Sequence, residues 1–414
     1  MHPTSVAASP FAALLAQVHA IGREVVAPNA AAVDRDARFP DEAFAALKSA
    51  KLLSSYIPAA YGGMGLTITQ LSEVCEALGT YCGSTAMVFA MHQIQVGCIV
   101  HHALPGTGGG GSAYFEAVVR EIVEKQLLLA SATTELGVGG DVRSSICAVQ
   151  RSADGETFTL EKQAPVISYG VAADAILVTA RRAPDAGASE QVHVFVRKTP
   201  GAASGDAVTL TPLSGWDTLG FRGTCSSGFA LRATGSVAQI LPAPYAEIHA
   251  KTMHAFSHGV WASLWLGIAS DAVQKARNFV RAEARKTPGT LPPSALRLAE
   301  VDAILATFRA TVRQTMREYE DLLVLDASGP DAGVVFASNF AFGLRVNNLK
   351  VTASQLLVDI VGKAMVICGI SGYRNDSPHS LCRHLRDAYG AALMVNNDRI
   401  LGQSAMMQVM QRKG

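Results

Sequence analysis

A glycine-rich polar stretch at residues 131–145, SATTELGVGGDVRSS, contains side chains that could hold a flat, polar ligand close to the backbone. Gly139 and Gly140 lack the Cβ atom that would keep a ligand away from the main chain. Thr134 offers a hydroxyl group in the same stretch, and Ser168 offers another further along. The alternative interpretation is that both hydroxyls only satisfy hydrogen bonds at turns and strand ends.

Three ionisable side chains could move a proton in a catalytic step: Asp398 in MVNNDRI, His258 beside Trp261, and His92 in FAMHQIQ. Asp and His are common general acids and bases. Each also has a structural interpretation. Asp398 could cap the final helix, His258 could be a satisfied helix residue, and His92 could be a polar residue in a contact between helices.

Composition excludes several classes of function. The 414 residues include 35 basic and 34 acidic side chains, which gives a net charge of +1 and no block of like charge. Binding to nucleic acid or to an anionic membrane is therefore not expected. Seven scattered cysteines without CxxC pairs indicate neither a disulfide framework nor a metal site. The N-terminus lacks a basic region, and the apolar run at residues 259–269 is too short to span a bilayer, so we expect a cytoplasmic protein without membrane insertion.

The elements that position these residues fall into three regions, with boundaries predicted at residues 1–126, 127–243 and 244–414. Apolar residues recur at helical spacing in the first and third regions. The middle region contains short β-rich runs such as DAILVTA, QVHVFVRK and SGFALRA, separated by turn residues. Because strands and helices do not alternate, a Rossmann fold is disfavoured. The predicted class is α+β: an N-terminal helical domain, a middle antiparallel β-barrel or sandwich, and a C-terminal helical bundle.

Four motifs in this order resemble those of the acyl-CoA dehydrogenase superfamily over nearly the whole chain. The first is PAAYGGMGL, which resembles the family's Pro-x-x-Tyr-Gly-Gly-x-Gly turn, and the second is TTELGVGGD, which resembles its flavin loop. GWDTLGFRGTCS resembles the family's Gly-x-Arg-x-Thr-x-Ser turn. CGISGY and RHLRDA resemble its C-terminal signatures. The resemblance implies an FAD-dependent oxidoreductase with the three-region fold described above.

The resemblance also implies cofactor contacts. Thr134 and Ser168 match hydroxyls that contact the flavin ring, whereas Val166 replaces the family's ring-stacking tryptophan. Hydroxyl and backbone donors at the ring would favour the reduced flavin. In ARKTPG, the resemblance assigns Arg285 to the FAD pyrophosphate of a neighbouring subunit, a task that suits a guanidinium; interaction with a helix C-terminus is the alternative. The remaining cofactor contacts implied in the same way are Gly139, Gly140, Thr287, Gly369 and Asn397.

Both positions at which this family carries its glutamate base hold other residues here. Counting from Asp387 in the Arg-Asp-Ala signature leads to Val395, and the second position falls near Ser257, which His258 follows. Asp398, His258 and His92 are the substitutes that the sequence offers. A base must reach the substrate proton and have a pKa near the working pH.

Three functions remain open at this point. The first is α,β-desaturation of an acyl thioester carried by CoA or a carrier protein, with electrons passed to an electron-transfer flavoprotein or to O2. The second is a flavin-dependent monooxygenase or oxidase of the same fold, and the third is a non-catalytic flavoprotein. The retained flavin motif favours the first. A dimer or tetramer is expected, with an apolar stripe through Leu349, Leu356, Ile360 and Ile367 as the association surface.

Overall fold

The computed structural model describes residues 9–106, 111–138, 141–198, 206–286, 288–328 and 335–410. Over these ranges, helices are followed by strands and then by a second set of helices. This order confirms the predicted α+β class, with two helical regions around a middle β region. The helices of the first region are α1 (Pro10–Ile21), α2 (Ala27–Arg35), α3 (Asp41–Ser49), α4 (Ile68–Gly79), α5 (Gly83–His102) and α6 (Ala113–Lys125).

Helix α5 is the central helix of the N-terminal region. Residues on all of its faces are buried, which is the pattern of a helix enclosed by other elements. Helix α4 beside it begins at a capping box, in which the Thr67 hydroxyl accepts from the backbone N–H of Gln70 and the Gln70 side chain accepts from that of Thr67. The cap fixes where α4 begins, and α4 then packs on both α5 and the first long helix of the C-terminal region.

The β region consists of two sheets. One has the strand order β1-β4-β5 and the other has the order β2-β3-β7-β6. The strands are β1 (Leu129–Ala132), β2 (Gln150–Arg151), β3 (Thr157–Ala164), β4 (Ala175–Arg181), β5 (Gln191–Arg197), β6 (Ala207–Ser214) and β7 (Gly228–Ser236). All described pairings are antiparallel except that of β1 with β4, which is parallel. The β region is thus mainly antiparallel, as predicted, and the pairing of β1 with β4 is the exception. The long connection from β1 to β4, which passes through the other sheet, is what allows parallel pairing.

The C-terminal region begins with a nearly continuous helical segment. Helix α7 (Tyr245–Ile248) leads into one turn of π-helix (His249–Met253), which leads directly into α8 (His254–Lys286). The other helices are α9 (Ser294–Ser328), α10 (Val335–Ser338), α11 (Phe340–Cys368), α12 (Ile370–Tyr373), α13 (Cys382–Leu393) and α14 (Asn397–Met410). Helices α8, α9 and α11 pack against one another and form the bundle.

The apolar stripe predicted as the association surface lies inside the subunit. Leu349, Ile360 and Ile367 on α11 are buried and belong to the main hydrophobic core, and Leu356 packs against that core. The stripe is therefore covered by the subunit's own helices, and this part of the prediction was wrong. Exposed apolar side chains lie instead near the C-terminal end of the chain, at Val366, Ile370, Tyr373, Leu393, Leu401, Met406 and Val409.

Within the described ranges, two helices, α5 and α11, are long and apolar enough to cross a membrane by length and composition alone. In α5, 94% of the most apolar window is buried inside the fold, and in α11 the value is 50%. Core helices of soluble proteins meet the same criterion, and α5 is enclosed by protein on all sides. These two helices are therefore weak evidence for a membrane protein.

Candidate active site

A cavity of about 700 Å³ lies where the two helical regions meet the β region. This volume is within the range of small-molecule and cofactor sites, about 300–1,000 Å³. Helix α5 contributes Met87, Met91 and Gln95, and the β region contributes the hydroxyl residues discussed below. The first turns of α8 and the connection between α13 and α14 close the other sides.

Thr134 and Ser168 both line this cavity, although they lie far apart in the sequence. The Thr134 hydroxyl donates to the carbonyl of Val166 at 2.9 Å, so its oxygen remains only as an acceptor. The Ser168 hydroxyl accepts from that of Ser226 at 2.8 Å, which leaves its own proton available. Ser131 adds a buried hydroxyl for which no described residue is a hydrogen-bond partner. An acceptor, a donor and an unpartnered hydroxyl on one wall fit a flat, polar group such as a flavin ring.

Glu135, the residue after Thr134, organises the loop behind this wall. It is buried, and its carboxylate accepts from the Ser145 hydroxyl at 2.7 Å and from the backbone N–H groups of Ile146 and Cys147 at 3.1 and 2.6 Å. The Nζ atom of Lys162 lies 3.4 Å from the same carboxylate. Glu135 therefore holds the end of the glycine-rich loop, whose residues 141–143 line the cavity.

Two of the sequence motifs meet at a second wall of the cavity. The buried carboxylate of Asp387, in the Arg-Asp-Ala signature on α13, accepts from the backbone N–H of Phe221 at 2.6 Å. Burial raises the pKa of Asp387 to about 6. A Cβ atom on Gly220 would lie 2.2 Å from the carbonyl oxygen of Arg386, so this contact requires glycine. The turn before β7 and α13 are thus fixed against each other.

A row of rings runs along α7, the π-helical turn and α8 on one side of the cavity. Its members Tyr245, His249, His254, His258 and Trp261 all line the cavity. Successive ring centroids are separated by 6.1, 5.8, 4.8 and 5.8 Å. In an α-helix, residues five apart would point about 140° away from each other. The π-helical turn, in which the His254 N–H donates to the His249 carbonyl, brings these two rings onto one face, stacked with an angle of 11°.

The three imidazoles in this row are held in the neutral form. Burial lowers the pKa of His249 to about 3 and lowers those of His254 and His258 from the usual value near 6.5. The hydrogen bond between His254 and Asn347 opposes this lowering at His254. Within the described part of the chain, no group of three or more potential ligands could hold a metal ion. The row therefore presents neutral nitrogen atoms to a ligand.

Several polar atoms on this side of the cavity are buried without a partner among the residues that the structure describes. They are Gln95 Oε1, Tyr245 OH, His258 Nδ1 and Trp261 Nε1, and the residues that carry them all line the cavity. A buried polar atom without a hydrogen bond costs about 1–3 kcal/mol. A ligand or ordered water that satisfies these atoms would recover that cost. The cavity is thus polar at defined points within an otherwise apolar wall.

His92 does not line the cavity, and both of its ring nitrogens have partners. Its Nε2 is 2.7 Å from the carbonyl of Leu53, and its Nδ1 accepts from the backbone N–H of Leu129 at 3.0 Å. Burial lowers its pKa to about 4. In this structure His92 ties α5 to β1 and to the segment before α4.

Asp398 lies in the first turn of α14, is exposed and does not line the cavity. The cap of this helix comes from Asn396, whose side chain accepts from the backbone N–H of Asp398 at 3.0 Å. Val395 and Asn396 line the cavity, and both have a positive φ, 53° and 35°. Among the described residues that line the cavity, Asp141 is the sole carboxylate. Its oxygens accept from the Arg143 N–H and the Ser144 hydroxyl.

Substitution of Asp398 with asparagine is expected to leave both activity and stability close to those of the wild type. The side chain is exposed, and the helix keeps its cap from Asn396. Loss of a charge near a helix N-terminus costs about 0.3–1 kcal/mol at most. Flavin reduction kinetics and thermal unfolding of Asp398→Asn check this expectation. A variant that binds flavin and does not reduce it would return Asp398 to the role of base.

Three of the other cofactor residues implied by the resemblance, Arg285, Gly369 and Asn397, lie away from the cavity lining. Arg285 is exposed at the end of α8, and Gly369 is exposed at the end of α11 with φ of 56°. Asn397 accepts from the Nζ of Lys350 at 2.7 Å and donates to the Ser354 hydroxyl. Gly139, Gly140 and Thr287 lie outside the described residues. These assignments stay predictions.

Several cavity residues escaped the sequence analysis. His249 and His254 are five residues apart, a spacing that matches no α-helical face, so only knowledge of the π-helical turn reveals that they align with His258. Trp216 lines the cavity within a motif that was recognised for its glycines and arginine. Asn347 comes from α11, far along the chain, and no local pattern marks it.

Comparison with known proteins agrees with this architecture. The family model "Acyl-CoA dehydrogenase, N-terminal domain" matches residues 11–105, and "Acyl-CoA dehydrogenase, C-terminal domain" matches residues 250–395. Together they cover more than half of the chain. A relative from Geobacter metallireducens, cyclohex-1-ene-1-carbonyl-CoA dehydrogenase, is 25% identical over 381 residues, which are 90% of this chain and 91% of that protein.

Solved structures share the fold at lower identity. FMN-bound TdsC from Paenibacillus sp. A11-2, a dibenzothiophene monooxygenase, has a TM-score of 0.80 at 18% identity and covers 97% of this chain and 98% of its own. Butyryl-CoA dehydrogenase from Megasphaera elsdenii has a TM-score of 0.76 at 19% identity and covers 98% of this chain and 99% of its own. At this identity the two structures establish a shared fold.

Proposed function

Because this chain belongs to the acyl-CoA dehydrogenase family, we propose that it is an FAD-dependent oxidoreductase that desaturates an acyl thioester between its α and β carbons. The observation that carries the proposal is the cavity itself. Thr134 and Ser168 line it from the β region, where a flat ring could contact them, and the row of imidazoles lines it from α7, the π-helical turn and α8, beside apolar side chains. A cofactor and an acyl chain can therefore lie side by side in one enclosed space.

When bound, the flavin supplies an acceptor for a hydride from the β carbon. The residues of the chain bind and orient the flavin and the acyl chain, and they shield the reacting carbons from water. Ser168 can donate a hydrogen bond to the ring, and Thr134 can accept one. Met87, Met91 and Ile94 provide an apolar surface for the acyl chain and exclude water from the reacting carbons.

The carrier, the electron acceptor and the assembly are proposals that follow from the family. The thioester is carried by CoA or by a carrier protein, and electrons pass to an electron-transfer flavoprotein or to O2. Arg143, Arg386 and Arg399 line the cavity, and although Arg143 pairs with Asp141 and Arg386 with Asp34, a cationic lining suits an anionic carrier. A dimer or tetramer in the cytoplasm is the expected form of the protein.

Arg285→Ala is expected to weaken FAD binding and subunit association together. The guanidinium is exposed and lies away from the lining of the subunit's own cavity, which fits the family's use of this arginine for the FAD of a neighbouring subunit. FAD titration and light scattering on the same sample measure both effects. Lys286→Ala, which removes the adjacent charge that pairs with Glu283, is the matched control. If Arg285→Ala binds FAD as tightly as the wild type, the shared-site assignment is wrong.

The direct test of the proposed function is an anaerobic titration of the FAD-loaded protein with a panel of acyl-CoA thioesters. We expect the oxidised flavin absorbance to disappear with at least one member of the panel. A protein that binds no flavin, or whose flavin no thioester reduces, would contradict the proposal.

One observation favours a second candidate function, a flavin-dependent monooxygenase or oxidase of the same fold. The family's two glutamate positions hold Val395 and Ser257, and the carboxylate that lines the cavity, Asp141, is already hydrogen-bonded. Oxygen chemistry at a reduced flavin does not need that base. Oxygen uptake that depends on a supplied flavin reductase, without anaerobic reduction by thioesters, would support this candidate.

A further inference from the structure

We propose that His254 is the proton acceptor of the active site and that Asn347 is the residue that positions it. The inference rests on the proposed function, since it assigns the α-proton of the thioester to a named atom. The ring row places His254 in the cavity wall, between His249 and His258.

Asn347 determines which nitrogen of His254 carries the hydrogen. The Asn347 Oδ1 atom lies 2.7 Å from His254 Nε2, and the Asn347 Nδ2 atom donates to the Ser404 hydroxyl at 3.1 Å. The amide nitrogen also faces the Met407 sulfur, which can only accept, at 3.9 Å, so the amide oxygen faces the imidazole. Because an amide oxygen only accepts, Nε2 must donate, and the neutral ring then carries its lone pair on Nδ1.

Nδ1 of His254 is available to a ligand. No described residue forms a hydrogen bond with it, and His254 is half-buried in the cavity wall, with its ring between two other rings. By contrast, Asp141 has hydrogen bonds to both oxygens, and His92 has partners at both nitrogens and lies outside the cavity. Of the predicted substitutes, His258 also lines the cavity and has a backbone hydrogen bond with Val346, but burial and the neighbouring His254, Lys350 and His249 lower its pKa well below the usual value, which makes it a poorer base.

Every proton and electron pair in the proposed step has a donor and an acceptor. The α C–H bond breaks and its proton moves to Nδ1 of His254, which becomes imidazolium. The electron pair left behind forms the new double bond, as the β hydrogen leaves with its pair to the flavin. Asn347 Oδ1 then stabilises the charged ring through the Nε2 hydrogen bond.

The groups that face His254 determine its pKa. His249 and His258 stand on either side, both neutral, and Asn347 approaches from α11. The positive charge of Arg143 lowers the pKa of His254 further, after burial as the main cause. Arg399 from α14 lines the same cavity, and Lys350 on α11 acts on His258. A negative charge at position 347 would therefore be the nearest one to the ring and would favour its protonated form.

The test combines two variants with a control. His254→Gln is expected to bind FAD with an unchanged visible spectrum and to be reduced by the acyl thioester at least ~100-fold more slowly, the lower end of the usual contribution of a general base. His379→Gln, which removes a histidine outside the cavity lining, is the control and should behave as the wild type.

Asn347→Asp keeps the shape of the side chain and adds the charge, so it separates catalysis from folding. A raised pKa means that His254 loses its proton at higher pH, and the base must be neutral to act. The pH–rate profile of flavin reduction should therefore move to higher pH, and a histidine NMR titration without substrate should show the same displacement for His254. A merely structural role of Asn347 would leave the profile in place.

The outcomes separate the two proposals. If no thioester reduces the wild-type flavin, the proposed function fails and the inference fails with it. If the wild type is reduced and His254→Gln is reduced equally fast, only the assignment of His254 is wrong. If His254→Gln does not fold, the Asn347→Asp profile decides: a displacement supports the assignment and an unchanged profile overturns it.

Discussion

Replacement of Glu135 with alanine is expected to destabilise the protein by about 3–5 kcal/mol, the usual cost of leaving one partner of a buried ion pair alone. The Lys162 side chain is fully buried, and burial lowers its pKa, an effect that the Glu135 charge opposes. The variant also loses the carboxylate that accepts hydrogen bonds from the Ser145 hydroxyl and from the backbone N–H groups of Ile146 and Cys147. Chemical denaturation measures the loss of stability, and an FAD titration measures the effect on the loop.

The double variant Glu135→Ala with Lys162→Met controls for the unpaired charge. It removes both charges and keeps an apolar chain in place of the lysine, so it should regain part of the stability. FAD binding should remain weak, because the loop still lacks its anchor. If Glu135→Ala unfolds at the same denaturant concentration as the wild type, the ion pair between Glu135 and Lys162 does not stabilise the loop.

Substitution of Gly267 with alanine is expected to be the most damaging small change in the helical core. Helices α4 and α8 are in backbone contact there: a Cβ atom on Gly267 would lie 2.1 Å from the carbonyl oxygen of Glu76, and one on Gly79 would lie 2.3 Å from that of Leu264. Backbone atoms cannot move aside as a flexible side chain can. Overpacking typically costs about 1–3 kcal/mol, and the displacement of α8 would carry the imidazole row with it.

Gly362→Ala in α11 is the matched control for this prediction. A Cβ atom at Gly362 meets no atom within 4 Å, and alanine in a helix interior is favoured over glycine by about 0.5–1 kcal/mol. The two variants should therefore change the free energy of unfolding in opposite directions. If Gly267→Ala and Gly362→Ala have the same free energy of unfolding, the close backbone contact between α4 and α8 does not resist an added Cβ atom, and the prediction is wrong.

The order of elements could be read from the sequence because it depends on local periodicity. Helical spacing on both sides of a β-rich segment identified the fold class, and the strands DAILVTA, QVHVFVRK and SGFALRA correspond to β4, β5 and β7. The parallel pairing of β1 with β4 was not predictable in this way, because it depends on which strands become neighbours. For the same reason, the stripe on α11 could not be assigned to the subunit interior from the sequence alone.

The candidate site likewise contains some residues that the sequence could identify and others that only the structure reveals. Thr134 and Ser168 were found because they belong to recognisable motifs, and both line the cavity. His254 was missed because one π-helical turn changes the phase of the helix, and Asn347 was missed because it joins the site from a distant helix. Asp398 stood out only by its type and by its position near Val395. Its exposure could be seen only in three dimensions.

The most direct test of the central claim is the product formed from an acyl-CoA thioester labelled with deuterium at both the α and the β carbon. If the cavity holds FAD and a thioester as proposed, mass spectrometry of an anaerobic single turnover will show a product that has lost one deuterium from each of these carbons. The flavin absorbance will disappear in the same reaction. Recovery of the fully labelled thioester, with the flavin still oxidised, would contradict the account.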